Sequence, residues 1–129
     1  MPITPVERLV ADAKARITTL DRDTAAKQVA AGEAIFVDIR DIRELNREGR
    51  IEGAVHAPRG MLEFWVDPAS PYHREVFATD KTLILFCAAA WRSSLAAKTL
   101  QDMGVENVAE MDGGFKGWAA DGRPIVKAD

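Results

Sequence analysis

The stretch Thr82-Leu83-Ile84-Leu85-Phe86-Cys87-Ala88-Ala89-Ala90-Trp91-Arg92-Ser93-Ser94 decides the fold. Its first part is a short, continuous apolar run, the pattern of a strand buried on both faces of a sheet. Beyond Cys87 the period changes. Leu95, Ala96, Leu100 and Met103 recur on one helical face, and Gly104 closes the segment. A buried strand that passes directly into a helix is half of a parallel β-α-β unit.

The same rhythm continues on both sides. Upstream, Ala34 to Asp38 is a second buried strand, followed by a short helix from Asp41 to Glu48 that Gly49 stops. Ala54 to Ala57 reads as a short strand ended by Pro58. Before these, Asp21 or Asp23 caps a helix carrying Ala25, Ala26, Val29 and Ala30 and ended by Gly32. Ile17 to Leu20 is a short strand, preceded by an amphipathic helix over Thr4 to Arg16. Downstream come a strand from Val105 to Met111, the pair Gly113-Gly114 and a short helix around Trp118. Alternating strands and helices predict an α/β fold, a parallel sheet of roughly five strands with helices on both faces. We divide the chain into an N-terminal helical extension, residues 1–16, and one domain, residues 17–129. The stretch from Arg59 to Asp80 breaks the rhythm with Pro68, Pro71 and several aromatics, and reads as loop with short helices.

Composition narrows the function. The 129 residues are 47% hydrophobic and 29% charged, with a net charge of −3 and no basic stripe, which argues against a nucleic-acid partner. The longest apolar run, Leu83 to Trp91, is far short of the roughly 20 residues that span a bilayer, so no membrane partner is expected. The first residues carry neither a basic nor an apolar leader segment, and with a lone cysteine the expected location is the reducing cytoplasm. A single Cys87 rules out an internal disulfide, a cysteine-based zinc site and a Cys-x-x-Cys redox pair; neither metal nor cofactor is expected. Oligomeric state is not legible.

Cys87 stands where ligands bind in an open α/β sheet, at the carboxyl end of a buried strand. A tight loop there turns backbone N–H groups inward and the following helix adds its positive end, so negative charge on the sulfur is stabilised. Arg92 supplies a fixed positive charge at the loop's far end. Taken alone, a cysteine ending an apolar strand is commonly a small buried hydrophobe. The surrounding pattern turns the reading toward chemistry.

That pattern resembles the rhodanese-like (sulfurtransferase) domain family over roughly Ile17 to Val126. Val37-Asp38-Ile39-Arg40 followed by Glu44 is similar to the family's strand-end D-x-R and acidic residue. Gly49 to Pro58 (GRIEGAVHAP) resembles its G-H-I-P-G-A-x-N-I-P segment, with Arg50 in place of histidine. Cys87 to Ser93 aligns with the active loop C-x-x-G-x-R-S, and Met111 to Trp118 with L-x-G-G-x-x-x-W. Ala90 replaces the loop glycine. If that position needs a left-handed backbone, alanine there costs on the order of 1 kcal/mol.

The resemblance implies a sulfurtransferase in which Cys87 is the catalytic nucleophile and Ala88, Ala89, Ala90, Trp91, Arg92 and Ser93 form the substrate-binding loop. Asp38 and Arg40 would support it by orienting loop groups, or would form a structural ion pair with Arg92, Arg43 or Glu44. The implied partners are a small sulfur donor such as thiosulfate and a thiol, cyanide or protein acceptor. Cys87 to Arg92 is C-x4-R; related dual-specificity phosphatases use C-x5-R, so a phosphatase or arsenate-handling enzyme ranks third. Second is a binding or regulatory module that keeps the fold and the cysteine without efficient turnover. Among other residues, Trp91 either walls the site or turns inward. Phe64, Trp65 and Tyr72 are expected to pack beneath their loop, Trp118 in the core, and Gly113-Gly114 in a turn that brings the last helix close. His56 and His73 are expected in ordinary polar roles.

Overall fold

A computed structural model describes residues 2–127. Residues 1, 128 and 129, at the ends of the extension and of the domain read from sequence, lie outside the described residues. Five parallel strands form one sheet in the order β1-β5-β4-β2-β3: β1 (Thr19–Leu20), β2 (Ala34–Asp38), β3 (Val55–His56), β4 (Thr82–Phe86) and β5 (Val108–Met111). The helices are α1 (Val6–Lys14), α2 (Arg22–Ala30), α3 (Ile42–Glu48), α4 (Leu62–Val66), α5 (Arg92–Asp102) and α6 (Gly114–Ala120).

Alternation along the central strands divides the core in two. Val37, Ile39, Leu83 and Leu85 face one way and pack with Leu62 and Val66 of α4 and Ala96, Ala97 and Leu100 of α5. Phe36, Ile84 and Phe86 face the other way, toward Ala25 of α2 and Phe115 and Trp118 of α6. Both faces of β2 and β4 are therefore covered. This is why their sequences are continuous apolar runs instead of alternating ones.

Local signals set the helix starts. Asp21 caps α2 by accepting from the Thr24 amide at 2.7 Å. Asp41 caps α3 in a reciprocal box with Glu44, each side chain satisfying the other's backbone amide. Several elements are shorter than the sequence reading. The last strand begins at Val108, after Val105, and β1 keeps only Thr19 and Leu20. At the edge strand β1 there are few ladder partners, so periodicity overstates its length. Residues 59–80 hold α4 and two short 3-10 turns, Arg59–Met61 and Glu75–Phe77. Helix α1 lies against α5 with Val10 and Ala13 buried.

Candidate active site

Cys87 directly follows β4, at the carboxyl edge of the sheet, between β2 and β5. The loop that follows is held from behind. The amides of Phe115 and Lys116, in the first turn of α6, donate to the carbonyls of Cys87 (2.8 Å) and Ala88 (3.0 Å). With those carbonyls fixed outward, later loop amides turn inward. The Ala90 amide lies 3.2 Å and the Ser93 amide 3.4 Å from the Cys87 Sγ, both donating to it. The amides of Ala88 and Ala89 have no acceptor among the described residues and remain available to an anion at the loop.

Ala90 is the one non-glycine residue with positive φ (74°) among the described residues. The alanine therefore occupies the conformation that the motif glycine would take at little cost, and carries about 1–2 kcal/mol of backbone strain. Two bonds hold it there: its amide on the sulfur, and its carbonyl accepting the Ser94 hydroxyl at 2.6 Å.

Arg92 departs from the expected free cation. Its two terminal nitrogens donate to the two carboxylate oxygens of Glu44 at 2.7 and 2.9 Å, which ties the loop to α3. Glu44 first, and the neighbouring Cys87 sulfur after it, push the Arg92 guanidinium well above its ordinary value. The same pair holds Glu44 below the usual carboxylate range. Two of the five guanidinium N–H groups are thereby committed to Glu44.

Asp38 and Arg40 form the predicted structural ion pair, with each other instead of with Arg92, Arg43 or Glu44. Arg40 donates to Asp38 at 2.8 and 3.0 Å and to the Gly49 carbonyl at 2.9 Å, and stacks over Phe115 at 4.0 Å. Both are fully buried. They brace β2 against α6 beneath the loop, and neither hydrogen-bonds Cys87.

Trp91 is half exposed at the mouth of the loop, beside the exposed Ala89. Trp65 packs on the core, whereas Phe64 and Tyr72 are exposed and stack edge-on upon one another, not beneath the loop as expected. His56 bonds the Arg40 carbonyl and His73 the Trp65 carbonyl. Trp118 lies in the core. Cys87 itself is only 1% exposed and belongs to the α5-side core.

Sequence reasoning missed Glu110. This β5 residue is 0% exposed and accepts from Ser93 (2.8 Å), Ser94 (2.9 Å), Thr19 (2.9 Å) and Lys14 (2.9 Å). Its one sequence signal is an acidic residue inside the apolar run Val108-Ala109-Glu110-Met111.

Residues 21–121 match the family model described as Rhodanese-like domain. A sulfurtransferase of Allochromatium vinosum is 26% identical over 111 residues, covering 85% of this chain and 95% of that protein. The dual specificity phosphatase Cdc25 of Arabidopsis thaliana is 31% identical over 101 residues; the match covers 71% of this chain and 66% of the plant protein's length. Among solved structures, a Rhodopseudomonas palustris protein of unknown function, described as a possible tyrosine phosphatase, superposes with a TM-score of 0.90. It is 44% identical, and the match covers 98% of this chain and 99% of that one.

Proposed function

This chain belongs to the rhodanese-like domain family, and from that premise we propose that it is a sulfurtransferase whose sulfur carrier is Cys87. The observation that supports this most is the convergence of the Ala90 and Ser93 amides on the Cys87 sulfur. Backbone donors aimed at one atom are the arrangement that stabilises a sulfur anion and, after transfer, a terminal persulfide sulfur. We read residues 17–129 as the transferring unit and residues 1–16 as its extension.

In the proposed cycle the Cys87 thiolate attacks the outer sulfur of thiosulfate. A new S–S bond forms, the old one breaks, and sulfite leaves with the bonding electron pair. An acceptor thiolate or cyanide then attacks the outer persulfide sulfur and the Cys87 thiolate departs. The chain holds one cysteine, so the acceptor is a separate molecule: cyanide, or a thiol that is small or protein-borne.

Two observations favour other readings. The names of two relatives point to phosphoester hydrolysis. Against this, the Cys87 to Arg92 loop is short, and Arg92 faces Glu44 with the bidentate edge that a phosphatase arginine would turn to phosphate. The burial of Cys87 favours a module that binds without turnover. One experiment separates the three. Intact mass after incubation with thiosulfate should show one added sulfur in the wild type and none in Cys87→Ser, with p-nitrophenyl phosphate left unhydrolysed. Hydrolysis of the ester would establish the phosphatase, and neither activity would establish the binding module.

A further inference from the structure

Among the described residues, the interior holds two carboxylates that the proposed cycle does not use: Asp38, which is paired with Arg40, and Glu110. Glu110 sits in the middle of the sheet's carboxyl edge, in register with Leu85 of β4 and Thr19 of β1, and has no solvent contact. Burying a carboxylate is costly unless it is paired and fully hydrogen-bonded. Here Lys14 of α1, Thr19 of β1 and Ser93 of α5 donate to it, and the Ser94 hydroxyl, whose one proton is shared with the Ala90 carbonyl, lies 2.9 Å away. An apolar residue would fill a buried strand position more cheaply.

The Ser93 hydroxyl has one proton and two neighbours. It lies 2.8 Å from the Glu110 carboxylate and 3.6 Å from the Cys87 sulfur. Glu110, ion-paired with Lys14, can only accept, so it takes the serine's proton. Ser93 therefore turns a lone pair toward the sulfur and accepts from the thiol. We propose that Glu110 is a positioning residue for Cys87, acting through Ser93: it withholds the serine's proton from the thiolate and so keeps the sulfur electron-rich. The inference rests on the reading of Cys87 as the nucleophile. A thiolate given fewer donors is a stronger nucleophile at the same population. Lys14 makes the N-terminal helix part of this support.

The other charged groups around the sulfur are accounted for. Arg92 of the loop is paired with Glu44 of α3, and Arg40, just past β2, is paired with Asp38 at the end of β2 and lies 3.5 Å from Glu48 of α3. Lys116 of α6 is exposed.

The test is the pH profile of iodoacetamide alkylation of the full chain, read by intact mass on its single cysteine. Glu110→Gln keeps size and removes charge. Lys14 can only donate, so the new amide turns its oxygen to Lys14 and its NH2 to Ser93, whose proton is then free to reach the sulfur. The half-maximal pH should fall by about half a unit, roughly a threefold change in thiolate population. In a Ser93→Ala background the same substitution should move the profile by less than half as much. A folded Glu110→Gln with an unmoved profile, or an equal shift in both backgrounds, overturns the proposal. Should Glu110→Gln fail to fold, Thr19→Val replaces it. That change removes a competing donor while keeping the Lys14 pair, so Glu110 holds the serine's proton more strongly and the profile should move upward, again less without Ser93; no movement overturns the proposal. Sulfur uptake from thiosulfate, measured on the same samples, reports separately on the sulfurtransferase reading. Chains that show the expected profiles but take up no sulfur would retire that reading alone.

Discussion

Gly114 lies against the back of the cysteine loop so closely that a Cβ on it would stand 2.5 Å from the Cys87 carbonyl oxygen and 2.7 Å from that of Ala88. Its φ of +59° adds a backbone requirement to the steric one. The obstructing atoms are backbone carbonyls already bonded to α6, so they cannot swing aside. Gly114→Ala should therefore cost about 2–4 kcal/mol, the sum of overpacking and left-handed strain. Urea denaturation measures the loss. Gly122→Ala, where φ is also positive but space is open, should cost clearly less.

Ala90→Gly should act in the opposite sense. Relief of about 1–2 kcal/mol of left-handed strain outweighs the roughly 0.5–1 kcal/mol of added chain entropy, leaving a small net stabilisation. Sulfur transfer should rise with every donor, because amide geometry serves any persulfide. A denaturation midpoint that falls would show that the alanine methyl, 3% exposed, packs more favourably than the strain costs.

Arg92→Ala should lower kcat/KM by similar factors for thiosulfate and for an uncharged sulfur donor. The guanidinium is occupied by Glu44, so its loss loosens the loop instead of removing a substrate contact. Selective damage with thiosulfate alone would restore Arg92 as a substrate ligand.

The same pair gives the acid limb of stability a sign. Arg92 lowers the Glu44 pKa in the folded chain. Its stabilising contribution is then complete above the ordinary glutamate value and is lost as pH falls through the depressed folded value. Glu44→Gln should be less stable than wild type near neutrality, with the gap closing in acid. Thermal melting across that range checks it; a gap that stays constant would mean that the pair contributes no charge-dependent stability.

Burial of Cys87 predicts discrimination by reagent size. Small iodoacetamide should label the folded chain, whereas the bulky aromatic disulfide DTNB should be slowed on the order of a hundredfold against the urea-unfolded chain. Equal protection against both would place the barrier in loop opening instead of in the width of its mouth.

The two central strands, a cap for α2 at Asp21 or Asp23, the short helix beginning near Asp41 and the question of a left-handed backbone at Ala90 were legible in the sequence. Each is written by residues within a few positions of one another: an apolar run, an acid before a helix, an alanine aligned with a motif glycine. The placement of the cysteine between strand and helix was legible for the same reason. What the tertiary structure decided are the partners. Arg92 meets Glu44 48 positions away, and Glu110 gathers Ser93 from 17 positions and Lys14 from 96. Charged residues far apart in the chain look alike whether they end in solvent or in a buried pair, because the difference lies in which elements the sheet order brings side by side. Only the closing of β1 onto β5, beneath the start of α5, removes Glu110 from water and makes Lys14, Thr19 and Ser93 its obligatory donors.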